Sequence, residues 1–514
     1  MSRYLLLPLI FLLPSLRLQA QHLMGLAGSN RAGSHAAYLN PSAIADSRQG
    51  FHLNLFTGYL NFTNTYFHYT GPGMELSSVA ESIMEADLED LEEEGEIFER
   101  EFARERLDGK PKMAHLGMEF RLPSFMLKLS PRHSIALNTR FRTALQANNV
   151  SEDLARVIGF CTANPALQNT SFIDREAYFN INAFAETGLT YARVLLSREK
   201  RFLKGGITVK RMAGLYSAHL LAPEVDYQLR QNQDGESYIQ VQQGNAQFGF
   251  SRSNFDIEGE EVLEALTWRN IPGSGWGLDL GFTYEHRPSF GDYQYQLNGE
   301  EKTDQGENKY KFRIGASLLD VGGITYNNPQ EVRRYDITRQ NLDLTGDTFG
   351  DVDIENLGPT LEDALAVQPS ERETTIRSGL PTALHLNFDY RLTRSLFLNA
   401  ALLQGLRGKD AVAMRQYSVL TLAPRLETKS LELAFPVSLM NDYRDLALGA
   451  MLRLGPLLVG SHNLLAFSKS SKAVGPDLYL GLGFGFGTGG QKKKLEEREQ
   501  KKAKRASKAA EQKK

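Results

Sequence analysis

The run Pro476-Asp477-Leu478-Tyr479-Leu480-Gly481-Leu482-Gly483-Phe484-Gly485-Phe486-Gly487 constrains the fold of this chain more than any other stretch. Its period is two, so Leu478, Leu480, Leu482, Phe484 and Phe486 share one face while Tyr479, Gly481, Gly483, Gly485 and Gly487 share the other. A helix cannot have that stripe. A soluble strand turns polar side chains to water, but here the second face is almost bare backbone, which suits lipid outside and closely packed contents inside. The alternative is an ordinary strand of a Gly-rich sandwich, and the rest of the chain must decide between them.

The same alternation recurs. Ile135, Leu137, Thr139 and Phe141 oppose Ser134, Ala136, Asn138, Arg140 and Arg142. Trp276, Leu278, Leu280, Phe282 and Tyr284 oppose Gly277, Asp279, Gly281, Thr283 and Glu285, and Leu384, Leu386, Phe388 and Tyr390 oppose His385, Asn387, Asp389 and Arg391. Arginines and carboxylates on the inner face require a polar interior, and aromatic residues at both ends of the apolar face are the interfacial girdles of a lipid-facing strand. The candidate lumen-facing polar residues are therefore Asn138, Arg140, Arg142, Asp279, Glu285, His385, Asn387 and Asp389. Short turns (Ser130-Pro131-Arg132-His133, Ser197 to Arg201, Thr393-Arg394) alternate with long segments at 71–112, 150–176, 223–275 and 327–380. Strands are expected over Phe51–Tyr69, from Met113, over Tyr178–Leu196, Phe202–Leu221 and Tyr310–Tyr326, and over Met414–Leu426, Leu431–Leu439, Leu446–Leu454 and Leu457–Leu465. These make about fourteen strands, an even number that leaves both ends on the periplasmic side. The fold class is all-β: a transmembrane antiparallel barrel with some helix in its extracellular loops. Pro288–Lys309 is long for the inner side and reads as strand extension; Gln233-Asp234-Gly235 reads as a hairpin turn, and Ser151-Glu152-Asp153-Leu154 as a helix start.

The ends fit this picture. Residues 1–20 read as a signal peptide, with Arg3, an apolar run from Tyr4 to Leu13 and Ala20 before the cleavage site. The competing reading, a retained anchor, is weakened by Pro8 and Pro14. Residues 21–50, rich in small residues and turn formers, read as a compact irregular segment, with 51–490 as the barrel and 491–514 as a basic, solvated periplasmic tail. That tail has eleven Lys or Arg against four Glu, so the rest of the chain carries −10 of the overall −3. The acidic stretch Ser77–Arg106 has closer to helical spacing and lacks the alternating Asp pattern of a calcium loop. Cys161 is the sole cysteine, so no internal disulfide forms.

No catalytic motif stands out: Gly-x-Ser-x-Gly, His-Glu-x-x-His, a Walker loop and paired cysteines are all missing from the sequence. His385 with Asp389 could form a general-base pair, but a polar inward face places such residues there anyway. The glycines of the last strand precede no helix and are not a phosphate loop. The chain reads as a non-enzyme with no cofactor and no nucleic-acid partner. Its partners are membrane lipid, the outer-membrane insertion machinery through Leu482, Phe484 and Phe486, and either a small hydrophobic ligand or an envelope protein docking on the loops or tail.

At Asn40-Pro41-Ser42 the chain resembles the FadL-like, long-chain fatty-acid transporter superfamily, whose N-terminal plug carries Asn-Pro-Ala; Ser42 stands where Ala is usual. Tyr38 through Arg48, Gly315 through Gly322 and Leu380-Pro381-Thr382 together resemble outer-membrane proteins grouped under a domain of unknown function. The resemblance spans residues 21 to 490. It implies a bacterial outer-membrane barrel plugged by residues 21–50, with Asn40, Pro41 and Ser42 as the plug motif. The function implied is uptake or transport of small, hydrophobic molecules; the alternative is a non-transporting scaffold binding envelope or secretion proteins.

Overall fold

The computed structural model describes residues 23–69, 103–160, 167–198, 200–233, 237–252, 264–269, 271–297, 299–345, 357–408, 411–467 and 475–487. The signal peptide, Cys161, the middle of the 233–235 turn, most of the acidic stretch and the basic tail lie outside them. Fourteen antiparallel strands close on themselves. In order these are Phe51–Asn64, 112–128, His133–Val150, Ser171–Ser197, Arg201–Gln231, Gly273–His286, Phe312–Tyr326, 376–391, Leu396–Gly405, Val419–Glu427, 431–440, 445–454, Leu457–Ser461 and Asp477–Phe486. The last strand pairs with the first, Phe51 opposite Phe486 and Tyr59 opposite Tyr479, so every edge is used.

Alternation fixes which way each side chain points. On the outer face Leu189 (60% exposed), Trp276 (61%) and Phe282 (55%) are uncovered, while their alternating neighbours Asp279, Thr283 and Glu285 are buried. An apolar belt around a polar interior is stable only with lipid outside. Trp276 and His286 bound it on one strand; at ~3.3 Å per residue and a tilt of ~40°, ten residues rise about 25 Å, the height of a bilayer's apolar band. No described helix is long and apolar enough to cross a membrane.

The structure differs from the sequence reading in five places. Phe51–Tyr69 is two strands, because the Asn64 side chain accepts the amides of Tyr66 and Phe67 and turns the chain after Asn64. Ala103–Glu105, at the end of the stretch with helical spacing, is a strand paired with Phe67–Tyr69. The segment 327–380 is not all loop: Arg333–Thr345 is a strand and Leu357–Ala364 a helix. In that strand a left-handed Asn341 (φ 52°) moves the apolar phase from Tyr335 and Ile337 to Leu342 and Leu344, which erases the simple alternation. It pairs with Ser237–Phe250, itself paired to the upper half of Arg201–Gln231, and both lie outside the closed wall as a sheet projecting beyond the bilayer. Pro288–Lys309 is a separate hairpin, Gln294–Leu297 with Glu300–Thr303, and does not extend the wall. Finally, the strand expected from Met414 begins at Val419, and residues 411–418 turn inward instead. The predicted helix is present at Glu152–Phe160, where Ser151 Oγ accepts the Leu154 amide.

Candidate functional site: the filled lumen

Residues 23–50 run through the barrel as three short 3-10 turns, Met24–Leu26, Gly33–Tyr38 and Pro41–Ile44. Pro41 fixes the start of the third, and Asn40, in extended conformation, caps it by accepting the Ser42 amide at 3.0 Å. Ser42 Oγ donates to Asn40 Oδ1 at 2.7 Å and sits 2.6 Å from Thr283 Oγ1; Asn40 Nδ2 donates to the Phe282 carbonyl at 3.1 Å. The hydroxyl thus makes contacts that an alanine there would lack. Gly206 and Gly281 face each other across two strands beneath this turn. A Cβ on Gly206 would lie 2.5 Å from the Pro41 carbonyl carbon, and one on Gly281 would collide with the Asn40 side chain. The turn is therefore seated in a recess that only glycine leaves open.

Charged layers surround this segment. Glu119, Glu186, Asp279 and Asp320 face Arg121, Arg140, Arg142 and Lys210, four against four, all buried. Arg140 Nε is 2.5 Å from Glu186 and its Nη1 3.1 Å from Glu119; Arg142 Nη1 is 3.0 Å from Asp320, and Lys210 bridges Asp279 (2.8 Å) and Asp320 (2.5 Å). Asp320 reaches this layer because it sits on a bulge with φ 53°, its amide donating to Asp279 Oδ1 at 2.7 Å. A second layer, at the end of the barrel where Ser197 turns back to Arg201, joins Asp46 to Arg287 (2.7 Å) and Arg48 (3.1 Å), and Glu285 to Lys204 (3.3 Å). Burial alone would raise the Asp46 pKa, but Lys309, Arg48 and Arg287 outweigh it and hold the carboxyl well below its usual range. In a third layer Asp389 accepts from Arg425 (3.2 Å) and Tyr310 Oη (2.6 Å), with Glu427 and Glu432 beside Arg425.

Asn138, Arg140, Arg142, Asp279, Glu285, His385, Asn387 and Asp389 all lie inward and buried. His385 and Asp389 are not brought together: His385 Nδ1 is 3.4 Å from Ser317 Oγ, and Asp389 is taken by Arg425, Tyr310 and Asn399. Leu482 and Phe486 face outward, and Phe486 stacks on Phe51 and Phe484 at 6.1 and 6.4 Å between centroids. Beneath the bare face of that strand, a Cβ on Gly485 would run into the lumenal Gln49, and one on Gly481 would lie 2.6 Å from Thr57 of the first strand. The sequence reading did not single out Glu119, Glu186, Lys210, Asp320, Arg287 or Arg425. Pairs of charges two apart on one strand, Glu119/Arg121, Arg140/Arg142, Glu285/Arg287 and Arg425/Glu427, were the signal that could have found half of them, Glu119, Arg287 and Arg425.

On the outer side, residues 411–418 fold across the opening. Gln146 pairs with Arg415 like a strand neighbour, its amide donating to the Arg415 carbonyl (2.8 Å) and accepting the Arg415 amide (2.7 Å). Met414 packs with Phe184, Met212, Ile376 and Leu380 above the charged layer. Between the lumenal segment and the wall there remains a cavity of about 40 Å³, lined by Asn40, Arg48, Lys204, Arg313, His385 and Asn387 among others. That is room for roughly three waters.

A family model described as a family of unknown function (DUF5723) matches residues 41–462. No curated protein matches the chain. Among solved structures it is similar to the Ralstonia pickettii toluene transporter TbuX (9% identity, 88% of this chain and 94% of that one, TM-score 0.35). It is also similar to a Pseudomonas aeruginosa FadL homologue (10%, 92% and 99%, 0.29) and to the translocator domain of the autotransporter NalP from Neisseria meningitidis (8%, 85% and 89%, 0.30).

Proposed function

Because the chain belongs to the DUF5723 family of unknown function, no activity comes with its membership, and we propose from its geometry an outer-membrane barrel for the uptake of small molecules, hydrophobic ones included. Its lumen is closed here by the chain's own residues. The observation that supports this reading is that the closing elements are separate from the wall. The wall is complete through pairing of Phe51–Asn64 with Asp477–Phe486, whereas residues 23–49 are held by side chains, caps and a glycine recess, and 411–418 by the Gln146 side chain and a single backbone bridge at Gly379. Such contents can shift without opening a single strand pair. A barrel of about eight strands fills its interior with its own side chains; fourteen strands around a chain segment leave a passage wherever that segment yields.

The test is conductance and solute uptake by the purified protein in bilayers. Gly281→Val should expel the Asn40 turn and raise conductance several-fold while the barrel stays folded. If the variant is folded and as closed as the wild type, the uptake reading fails. A second reading, a scaffold for envelope proteins, is favoured by the projecting sheet of Arg201–Gln231, Ser237–Phe250 and Arg333–Thr345. A stoichiometric partner lost on removing that sheet, with no uptake under any condition, would select it.

A further inference from the structure

We propose that the cavity between the lumenal segment and the wall is a binding site for a compact oxyanion, with inorganic phosphate preferred over sulfate. The first observation is a charge imbalance in the layer around Asp46. The layer around Arg140 balances four cations with four carboxylates. The layer around Asp46 instead gathers the buried Arg48, Lys204, Arg287 and Lys309 and the half-buried Lys128 against Asp46 and Glu285, and counting the buried Asp304 nearby still leaves two positive charges over. Buried surplus charge is costly, and it is relieved by a counter-ion. At the cavity itself Arg48, Lys204 and Arg313 bring three cationic groups to one place, each with one carboxylate partner, Asp46, Glu285 and Asp389 respectively.

The cavity is also built for a small occupant. Lys204, Thr283, Gly315 and Asn387 are cross-strand neighbours in one row and form its wall side. At about 40 Å³ it is far below the ~150 Å³ of a cavity that admits benzene, so a hydrocarbon is excluded. One further group selects the anion. Ser317 Oγ donates its proton to the Leu39 carbonyl at 2.5 Å, so its contact with His385 (3.4 Å) must use the Nδ1 proton of the imidazole. His385 Nε2 is left as an acceptor, buried and without a partner among the described residues. It can accept from the P–OH of hydrogen phosphate, whereas sulfate at neutral pH has no proton to offer.

The experiment is calorimetry and equilibrium dialysis on the folded, detergent-purified full chain, titrated with inorganic phosphate and with sulfate in chloride buffer of matched ionic strength at pH 7.5. One saturable phosphate site per barrel is expected, with sulfate several-fold weaker. Lys204→Gln should weaken phosphate at least tenfold, whereas Lys128→Gln, which removes a cation of the cluster outside the cavity, should keep it. His385→Leu should bring phosphate down to the level of sulfate. Absence of saturable binding by the wild type, equal binding of sulfate, or unchanged binding by a folded Lys204→Gln each overturns the proposal. The result is independent of conductance, because the site is closed in the same state that closes the lumen.

Discussion

Arg121 Nη1 lies 3.1 Å from His35 Nδ1, and the same guanidinium stacks 4.3 Å from the centroid of Tyr38. The imidazole therefore has to present a bare nitrogen. Burial, and then the charge of Arg121, hold the His35 pKa well below its usual value. Its neutral form thus contributes stability that is fully present above the unfolded pKa of ~6.5 and is lost as pH falls towards the lower folded value. The hydrogen-exchange protection factors of the amides in residues 33–45, which remove the intrinsic slowing of exchange at lower pH, should fall between pH 7 and pH 5, and His35→Gln should flatten that profile; a flat wild-type protection profile would count against the docking of this segment in the lumen. At the same scale, Glu119→Gln leaves Arg121 and Arg140 short of a buried partner and should cost about 3–5 kcal/mol in urea unfolding. Which side chains point inward was legible from alternation alone. Who partners whom was not: Glu119 and Glu186 sit on the strands flanking Arg140, where register and not alternation selects the pair, and Asp320 reaches Arg140 from a strand far along the chain.

Among elements, the last strand joins the most separated parts of the chain. Its Phe486 stacks on both Phe484 and Phe51 at the seam where the barrel closes. Replacing Phe484 and Phe486 by Asp puts charge into the lipid face near the interface and should block insertion, read as loss of the protein from the outer-membrane fraction; normal levels would show that the seam does not depend on them. The strands Ser237–Phe250 and Arg333–Thr345 differ in kind, since Arg201–Gly214 pairs directly with Gly273–His286 beneath them. Replacing both by short flexible linkers should leave a barrel that still migrates anomalously on gels before boiling. Loss of that shift would mean that the projecting sheet holds the wall together.

For the whole molecule, closure is the decisive property, and its cheapest check is that heat-modifiable migration of the intact chain. Fourteen strands with every edge paired, an apolar band about 25 Å high and a charged interior form one self-consistent design: backbone groups are satisfied within the wall, and most buried charges are paired within the lumen. The sequence by itself determined the strand period, the inward and outward faces and the approximate strand number, because these follow from local alternation and from turns of two to five residues. Asn40-Pro41-Ser42 stood out only through its resemblance to a family's plug motif. Only the tertiary structure decided that Gly206 and Gly281 form the recess under that turn, that 411–418 enters the lumen, and that Lys204, Arg48 and Arg313 converge on one small cavity. The physical reason is distance along the chain. Alternation is a property of neighbours, whereas pairing of charges, seating of a turn and filling of a lumen depend on which residues a closed wall brings face to face.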